Sequence, residues 1–230
     1  MKRFSVTLAV CLLTAGVAVA TPTVAISRTD GTWSHYWPQG GEYTLAPSSE
    51  LAGLIGSSET FQSFCLELSE CAYEGYTYNA SVNDEALRGG KRWLGEPKGD
   101  DGGDMISPET AYLYTQFRAE TLAGYTFELG DERGASARGL QEAIWYLEGE
   151  SPRTFDELLP ASQAFIELAR NANWTTTGSV RVLNLTNLDG SLAQDMLTLA
   201  AVPAPGAVLL SGVGLGVVGW LKRRRIMPMK

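Results

Sequence analysis

The chain has 230 residues and carries 18 Lys+Arg against 26 Asp+Glu, a formal net charge of −8. Seven of those cations (Lys2, Arg3, Lys222, Arg223, Arg224, Arg225 and Lys230) lie at the two ends and every carboxylate lies between them, so the central region has 11 cations against 26 carboxylates, or −15. A surface of that sign repels phosphate backbones and anionic lipid, which disfavours a role on nucleic acid.

In chain order, the first predicted element is a signal peptide over residues 1–20. Lys2 and Arg3 precede an apolar run from Val6 to Ala20 that ends in Ala18-Val19-Ala20, the small-residue pattern of a secretory cleavage site. The run is short and poorly flanked for a spanning helix. Cys11 would leave with it, and no Leu-x-x-Cys lipobox ends the run. Two cysteines then remain, Cys65 and Cys71.

Residues 21–201 are long enough for one domain with its own core. The stretch TVAISRTDGTWSHYWPQGGEYTLA mixes β-branched and aromatic residues with Asp-Gly and Gly-Gly, which predicts hairpin-rich β structure. The segment APSSELAGLIGSSE is expected to be flexible. FQSFCLELS alternates, so a strand there would put Phe64, Leu66 and Leu68 on one face and Cys65 and Glu67 on the other. YEGYTYNASV is a further strand, and the acidic GEPKGDDGGDM a loop.

Helical signals come next. In SPETAYLYTQFRAETLAG, Ser107 is placed to cap and Pro108 to occupy the first turn, with Glu109 favourable to the dipole and Gly124 as the stop. A second helix is predicted over about Ala135 to Glu148, with Leu140, Ile144, Trp145 and Leu147, and a third from about Pro152 to Asn171. GSVRVLNLTN and AQDMLTLAAVP return to strand. Strands on both sides of a helical insert predict an α+β domain with mainly antiparallel pairing.

The last residues, 202–230, read differently. Val202-Pro203-Ala204-Pro205 is followed by an uncharged stretch, Gly206 to Leu221, and then by Lys222, Arg223, Arg224 and Arg225. At helical rise the uncharged stretch spans about 24 Å, somewhat less than an average bilayer core, and the basic cluster would stay cytoplasmic. This order of Pro motif, short Gly/Leu/Val helix and Arg run resembles the PEP-CTERM sorting signal of Gram-negative bacteria, with Ala204 where the eponymous signal has glutamate. The resemblance covers about the last 28 residues. It implies export by the Sec translocase, a transient stay in the inner membrane through a C-terminal transmembrane helix, and processing by an exosortase. The product would then reach the cell surface or an exopolysaccharide matrix.

A second resemblance rests on Phe64-Cys65-Leu66 and on Gln141-Glu142-Ala143-Ile144-Trp145, with the TAYLYTQF helix between them. These are similar to the motifs of the thioester domains at the tips of Gram-positive surface adhesins, although Leu140 stands where that family prefers threonine. The resemblance extends loosely over about residues 35 to 200. It implies a bond between the Cys65 sulfur and the Gln141 side-chain carbonyl, formed with loss of ammonia, with Trp145 one turn later shielding it from water. An amide does not react this way unless the fold holds sulfur against carbonyl and aims donors at the tetrahedral oxygen. A partner amine or hydroxyl would open the thioester and leave the protein attached through Gln141. Such a protein is a single-use anchor and no turnover enzyme.

The residues also admit a plainer chemistry. Two cysteines in an oxidising compartment are expected to pair, and a Cys65–Cys71 disulfide is feasible if the chain reverses at LSE. The two bonds exclude each other because both consume the Cys65 sulfur. On that alternative the protein is a noncatalytic structural component of the matrix.

Other candidates are weaker. Asp100, Asp101 and Asp104 lack the spacing of a calcium loop, and His35 is the sole histidine, so no metal site is expected. Glu67, Glu148 and Glu150 show no spacing that marks a glycosidase pair. No cofactor is expected. The sequence therefore predicts a secreted surface or matrix protein, attached to a surface polysaccharide or matrix component.

Overall fold

The computed structural model describes residues 20–33, 40–68, 71–87, 90–91, 96–97 and 103–200. His35, Asp100, Asp101, the signal peptide through residue 19 and the whole sorting signal, from Val202 to Arg225 and beyond, lie outside the described residues. Among the described residues no helix is long and apolar enough to cross a membrane.

The described residues form ten strands and four α-helices. The strands are β1 (Thr23–Trp33), β2 (Gly41–Pro47), β3 (Phe61–Ser63), β4 (Thr77–Asn83), β5 (Glu85–Ala86), β6 (Gly90–Lys91), β7 (Glu96–Pro97), β8 (Asp104–Met105), β9 (Val180–Thr186) and β10 (Met196–Leu199). The helices are α1 (Ser49–Ile55), α2 (Pro108–Arg118), α3 (Asp131–Leu147) and α4 (Pro160–Asn171). Six strands form one antiparallel sheet in the order β10-β9-β4-β1-β2-β3, and β5–β8 and β6–β7 form two small pairs. The predicted α+β class with a helical insert between strands is therefore what the chain adopts.

The two edges of the large sheet meet. Beyond β3 the chain continues to Cys65, which bridges Met196 of β10 in antiparallel sense. Leu66 N–H donates to the Asp195 carbonyl at 2.9 Å and Leu197 N–H to the Phe64 carbonyl at 3.2 Å. Ser63 Oγ and the Tyr114 hydroxyl both donate to the Leu197 carbonyl, at 2.6 and 3.1 Å. The sheet is thereby closed into a near-barrel along a seam that runs through Cys65, which removes an open edge.

Alternation at that seam matches the sequence pattern. Phe64 and Leu66 join Val182, Leu197 and the apolar faces of α2, α3 and α4, whereas Cys65 joins Val24, Leu45, Leu183, Met196 and Trp145 in a second cluster. Helices cover one face of the strands and the second cluster, with Leu51 and Ile55 of α1, fills the other, so both faces are apolar. The expected pattern fails at Leu68, which packs on the second cluster, because the strand has already ended.

Three boundaries differ from expectation for local reasons. The segment expected to be flexible holds α1, capped by Ser48 Oγ, which accepts from Leu51 N–H, and closed by Gly56 at φ 79°. Leu51 and Ile55, four residues apart, bury its apolar side. Helix α2 ends at Arg118 and not at Gly124: Glu120 takes the left-handed conformation, at φ 55°, and Thr121 N–H reaches back to the Gln116 carbonyl. The third predicted helix is split, since Pro160 begins α4 and only a short 3-10 turn, Phe155–Glu157, precedes it.

Glu120 occupies a position that suits glycine, which has no Cβ to clash. Glu120→Gly is expected to raise stability by about 1 kcal/mol, read as a higher urea midpoint at unchanged slope.

Candidate functional site

The register of β2 on β3 pairs Leu45 with Phe61, Thr44 with Gln62 and Tyr43 with Ser63. Continued two residues further, the same register would set Gly41 opposite Cys65, but the ladder stops at Tyr43. The gap is filled by a side chain. Gln141 of α3 accepts from Cys65 N–H through Oε1 at 3.0 Å and donates from Nε2 to the Cys65 carbonyl at 2.8 Å. Its carboxamide thus substitutes for a strand partner, and residues 76 positions apart in sequence are joined at two points. Gln141 is buried to 1% and Cys65 to 5% exposure, so neither backbone group has water as an alternative partner.

Glycine at position 40 makes room for this. A Cβ there would fall 2.5 Å from Trp145 Cη2 and 2.9 Å from Gln141 Cγ. The Gly-Gly that reads in sequence as a turn signal is needed for the close approach of α3 to the sheet.

Helix α3 is held in place from both ends. At its start, Arg133 pairs with the fully buried Glu42 of β2, at 2.6 and 3.0 Å, and the Tyr125 hydroxyl donates to the same carboxylate at 2.6 Å. Near its end, Glu142 accepts from Arg153, from the Leu159 N–H and from Ser162 Oγ, which ties α3 to the chain entering α4. Gln141 and its neighbour Glu142 therefore anchor opposite sides of one helix.

The Cys65 thiol lies in the wall of a cavity of about 370 Å³, which is also lined by Tyr43, Cys71, Tyr73, Tyr76, Trp145 and Gln194. Burial pushes this thiol well above the ordinary range, the neighbouring Cys71 pushes the same way, and a hydrogen bond with the Tyr43 side chain acts in the opposite direction. A charged thiolate is costly there, whereas a neutral acylated or disulfide-bonded sulfur is not. Trp145 sits one turn beyond Gln141, as expected, nearly buried and in the same apolar cluster as Cys65. Its indole N–H has no hydrogen-bond partner among the described residues. At the cavity rim Tyr73 and Tyr76 are exposed with ring centroids 6.1 Å apart, and Arg28 pairs with Glu74 at 2.6 Å.

Cys71 is exposed, Cys65 is buried, and both are free thiols. The structure therefore brings together Cys65, Gln141, Trp145 and Cys71. Tyr43, Gly40 and Gln194 are absent from the residues singled out by sequence, because each acts through position alone; only the Gly-Gly carries a signal, and it is that of a turn.

The weaker candidates have other roles. Glu148 accepts from the Ser107 hydroxyl at 2.6 Å and from its N–H, supporting the cap of α2, and burial raises its pKa. Glu67 and Glu150 are buried. Among the described residues no group of three or more His, Cys, Asp or Glu side chains could hold a metal.

No protein-family model and no curated protein matches this sequence. Among solved structures, the chain is similar to the N-terminal thioester domain of a surface protein from Clostridium perfringens. That likeness has 12% identity and a TM-score of 0.43 over 78% of this chain and 98% of the other. It is also similar to the N-terminal domain of the Streptococcus pyogenes pilus tip adhesin Cpa, with 14% identity and a TM-score of 0.41 over 80% and 97%.

Gln141→Leu leaves the buried Cys65 N–H and carbonyl without partners and is expected to cost about 2–4 kcal/mol, read from denaturant unfolding. Asp195, beside the seam, accepts from Leu87 N–H at 2.6 Å and Asn184 Nδ2 at 3.0 Å, yet burial raises its pKa to about 6 from 3.8. The folded state therefore holds this proton more tightly than the unfolded chain. Its contribution is fully present below about pH 4 and is lost as pH rises through about 6. Glu148 adds a slope of the same sign. Asp195→Asn, fixed in the neutral form, is expected to flatten the fall in stability over this window, as measured by urea midpoints from pH 4 to 8.

Proposed function

We propose that this chain is a secreted bacterial surface or matrix protein that attaches covalently to a partner through an internal Cys65–Gln141 thioester. The single observation that carries the proposal is the two-point clamp of the Gln141 carboxamide on Cys65, beside a cavity whose wall includes Cys65 and Trp145. The clamp removes most of the positional freedom that makes an amide and a thiol unreactive towards each other. The Cys65 N–H already donates to Gln141 Oε1, so it is in place to stabilise negative charge building on that oxygen during attack.

The atoms balance without a co-reactant. Cys65 Sγ, on losing its proton, bonds to the Gln141 side-chain carbonyl carbon, and the amide nitrogen departs as ammonia with that proton. A primary amine or hydroxyl of the partner later adds to the same carbon, and Cys65 leaves as a thiol. Trp145, packed in the apolar cluster with Cys65 and lining the cavity, would restrict water. The protein would act once per molecule, which is attachment without turnover.

The address comes from the ends of the sequence. A signal peptide over residues 1–20 would deliver the chain to the Sec translocase. The PEP-CTERM-like signal, residues 202–230, would hold it in the inner membrane until an exosortase acts and passes it to the surface or matrix. A surface polysaccharide or other matrix component is the proposed partner.

A second function is favoured by a specific observation. Cys65 and Cys71 line one cavity, although they stand six positions apart in sequence. In a noncatalytic matrix protein they would form a disulfide, and Gln141 would serve only as the missing strand partner.

Amine capture separates the two. The purified protein is incubated with methylamine and mapped by peptide mass spectrometry. Attachment predicts a methylamide on Gln141 and a newly alkylatable Cys65, both lost in Cys65→Ser. An unmodified Gln141 under all conditions would leave the noncatalytic function.

A further inference from the structure

The cavity beside the proposed thioester has a second thiol in its wall, and the role assigned to that thiol rests on the thioester proposal. The chain leaves the seam at Cys65 and returns to it by Cys71. Leu66 N–H donates to the Asp195 carbonyl at 2.9 Å, and Gln194 N–H donates to the Cys71 carbonyl at 3.3 Å. Gln194 Nε2 holds the intervening Glu67 carbonyl at 2.7 Å. Adjacent residues 194 and 195 therefore grip both ends of the segment that carries the two cysteines. A continuous strand would have carried Cys71 about 20 Å away; the fold brings it back to the same cavity. The two thiols differ in access, since Cys71 is exposed and Cys65 is buried.

We propose that Cys71 is a resolving thiol that forms a reversible disulfide with Cys65, so that oxidation withholds the sulfur from Gln141 and reduction releases it for thioester formation. The disulfide and the thioester are then successive states of one site.

The difference in access sets the order of steps. Cys71, as the thiolate, attacks one sulfur of a small-molecule disulfide such as oxidised glutathione and expels one equivalent of the reduced thiol. Cys65 then gives up its proton and attacks the Cys71 sulfur, expelling the second equivalent. Two electrons pass to the oxidant, and the two cysteine protons leave with the released thiols. In this state no thiol faces the Gln141 carbonyl carbon, and the carboxamide keeps its nitrogen and its two hydrogen bonds to the Cys65 backbone. A dithiol reductant reverses both steps, after which Cys65 can attack Gln141 and expel ammonia. Cys71 takes no part in that bond and remains free.

The full chain is made by cell-free synthesis with mild detergent, in buffer containing either oxidised glutathione or dithiothreitol. It is then exposed to methylamine, alkylated and peptide-mapped. The reduced protein is expected to carry a methylamide on Gln141 with Cys71 alkylated. The oxidised protein is expected to show at least tenfold less methylamide and a Cys65–Cys71 disulfide peptide, and later dithiothreitol should restore capture. Cys71→Ser, a change at an exposed position, should capture methylamine equally in both buffers. Equal capture by the wild type in both buffers, with Cys71 always alkylated, would overturn the redox lock and leave the thioester standing. Absence of capture in the reduced wild type and in Cys71→Ser alike would overturn the thioester itself, and the lock with it.

Discussion

Cys65 sits where a six-stranded sheet has to close on itself, and one side of its backbone faces a place that no strand reaches. The β2–β3 ladder stops at Tyr43 and Ser63, and the Gln141 carboxamide takes the next position, satisfying both the N–H and the carbonyl of Cys65. A buried strand residue with both groups unpaired would cost several kcal/mol, roughly a third of the stability of an ordinary domain. Much of the architecture serves this contact: Gly40 lets α3 approach, the Glu42–Arg133 pair fixes its start, and Glu142 ties its end to α4.

The same contact confers a chemical opportunity. An amide side chain used to complete a sheet must lie against the backbone of the residue it completes, and here that residue carries a thiol. The surroundings favour a neutral sulfur over a thiolate, since burial raises the thiol pKa. A site of this kind suits an acylated or disulfide-bonded sulfur better than a free nucleophile, and Gln141 and Cys71 are the two partners proposed for it. On the proposed function, stability and reactivity would both be drawn from one set of hydrogen bonds, so changes at Gln141 would act on both.

The alternation of FQSFC, the Ser107-Pro108 start of α2 and the apolar stripe of α3 are legible in the sequence because each is a local signal whose period or cap survives in the fold. So is the pairing of Cys65 with Gln141 as residue types, through two short motifs. What escapes is set by tertiary contact. Gly40 reads as a turn residue until Trp145 is placed against it. Tyr43 reads as an ordinary strand aromatic until β2 is set beside Cys65, and Gln194 has no motif at all. Helix α1 does have a signal, Ser48, Glu50, Leu51, Ile55 and Gly56, but it is only seven residues long, and its serines and glycines resemble a loop. At the end of α2 the left-handed residue is Glu120, so the glycine that marks a stop in the sequence lies four residues too far along.

One covalent bond between Cys65 and Gln141 decides the function, and the most direct measurement is the intact mass of the wild-type protein made in the presence of reductant beside that of Cys65→Ala, each recorded without added nucleophile. The account predicts that the wild type is lighter than its sequence by one ammonia, that reductant does not restore it, and that Cys65→Ala has its full sequence mass. No deficit at all in the reduced, freshly made wild type, or the same deficit in Cys65→Ala, would contradict it.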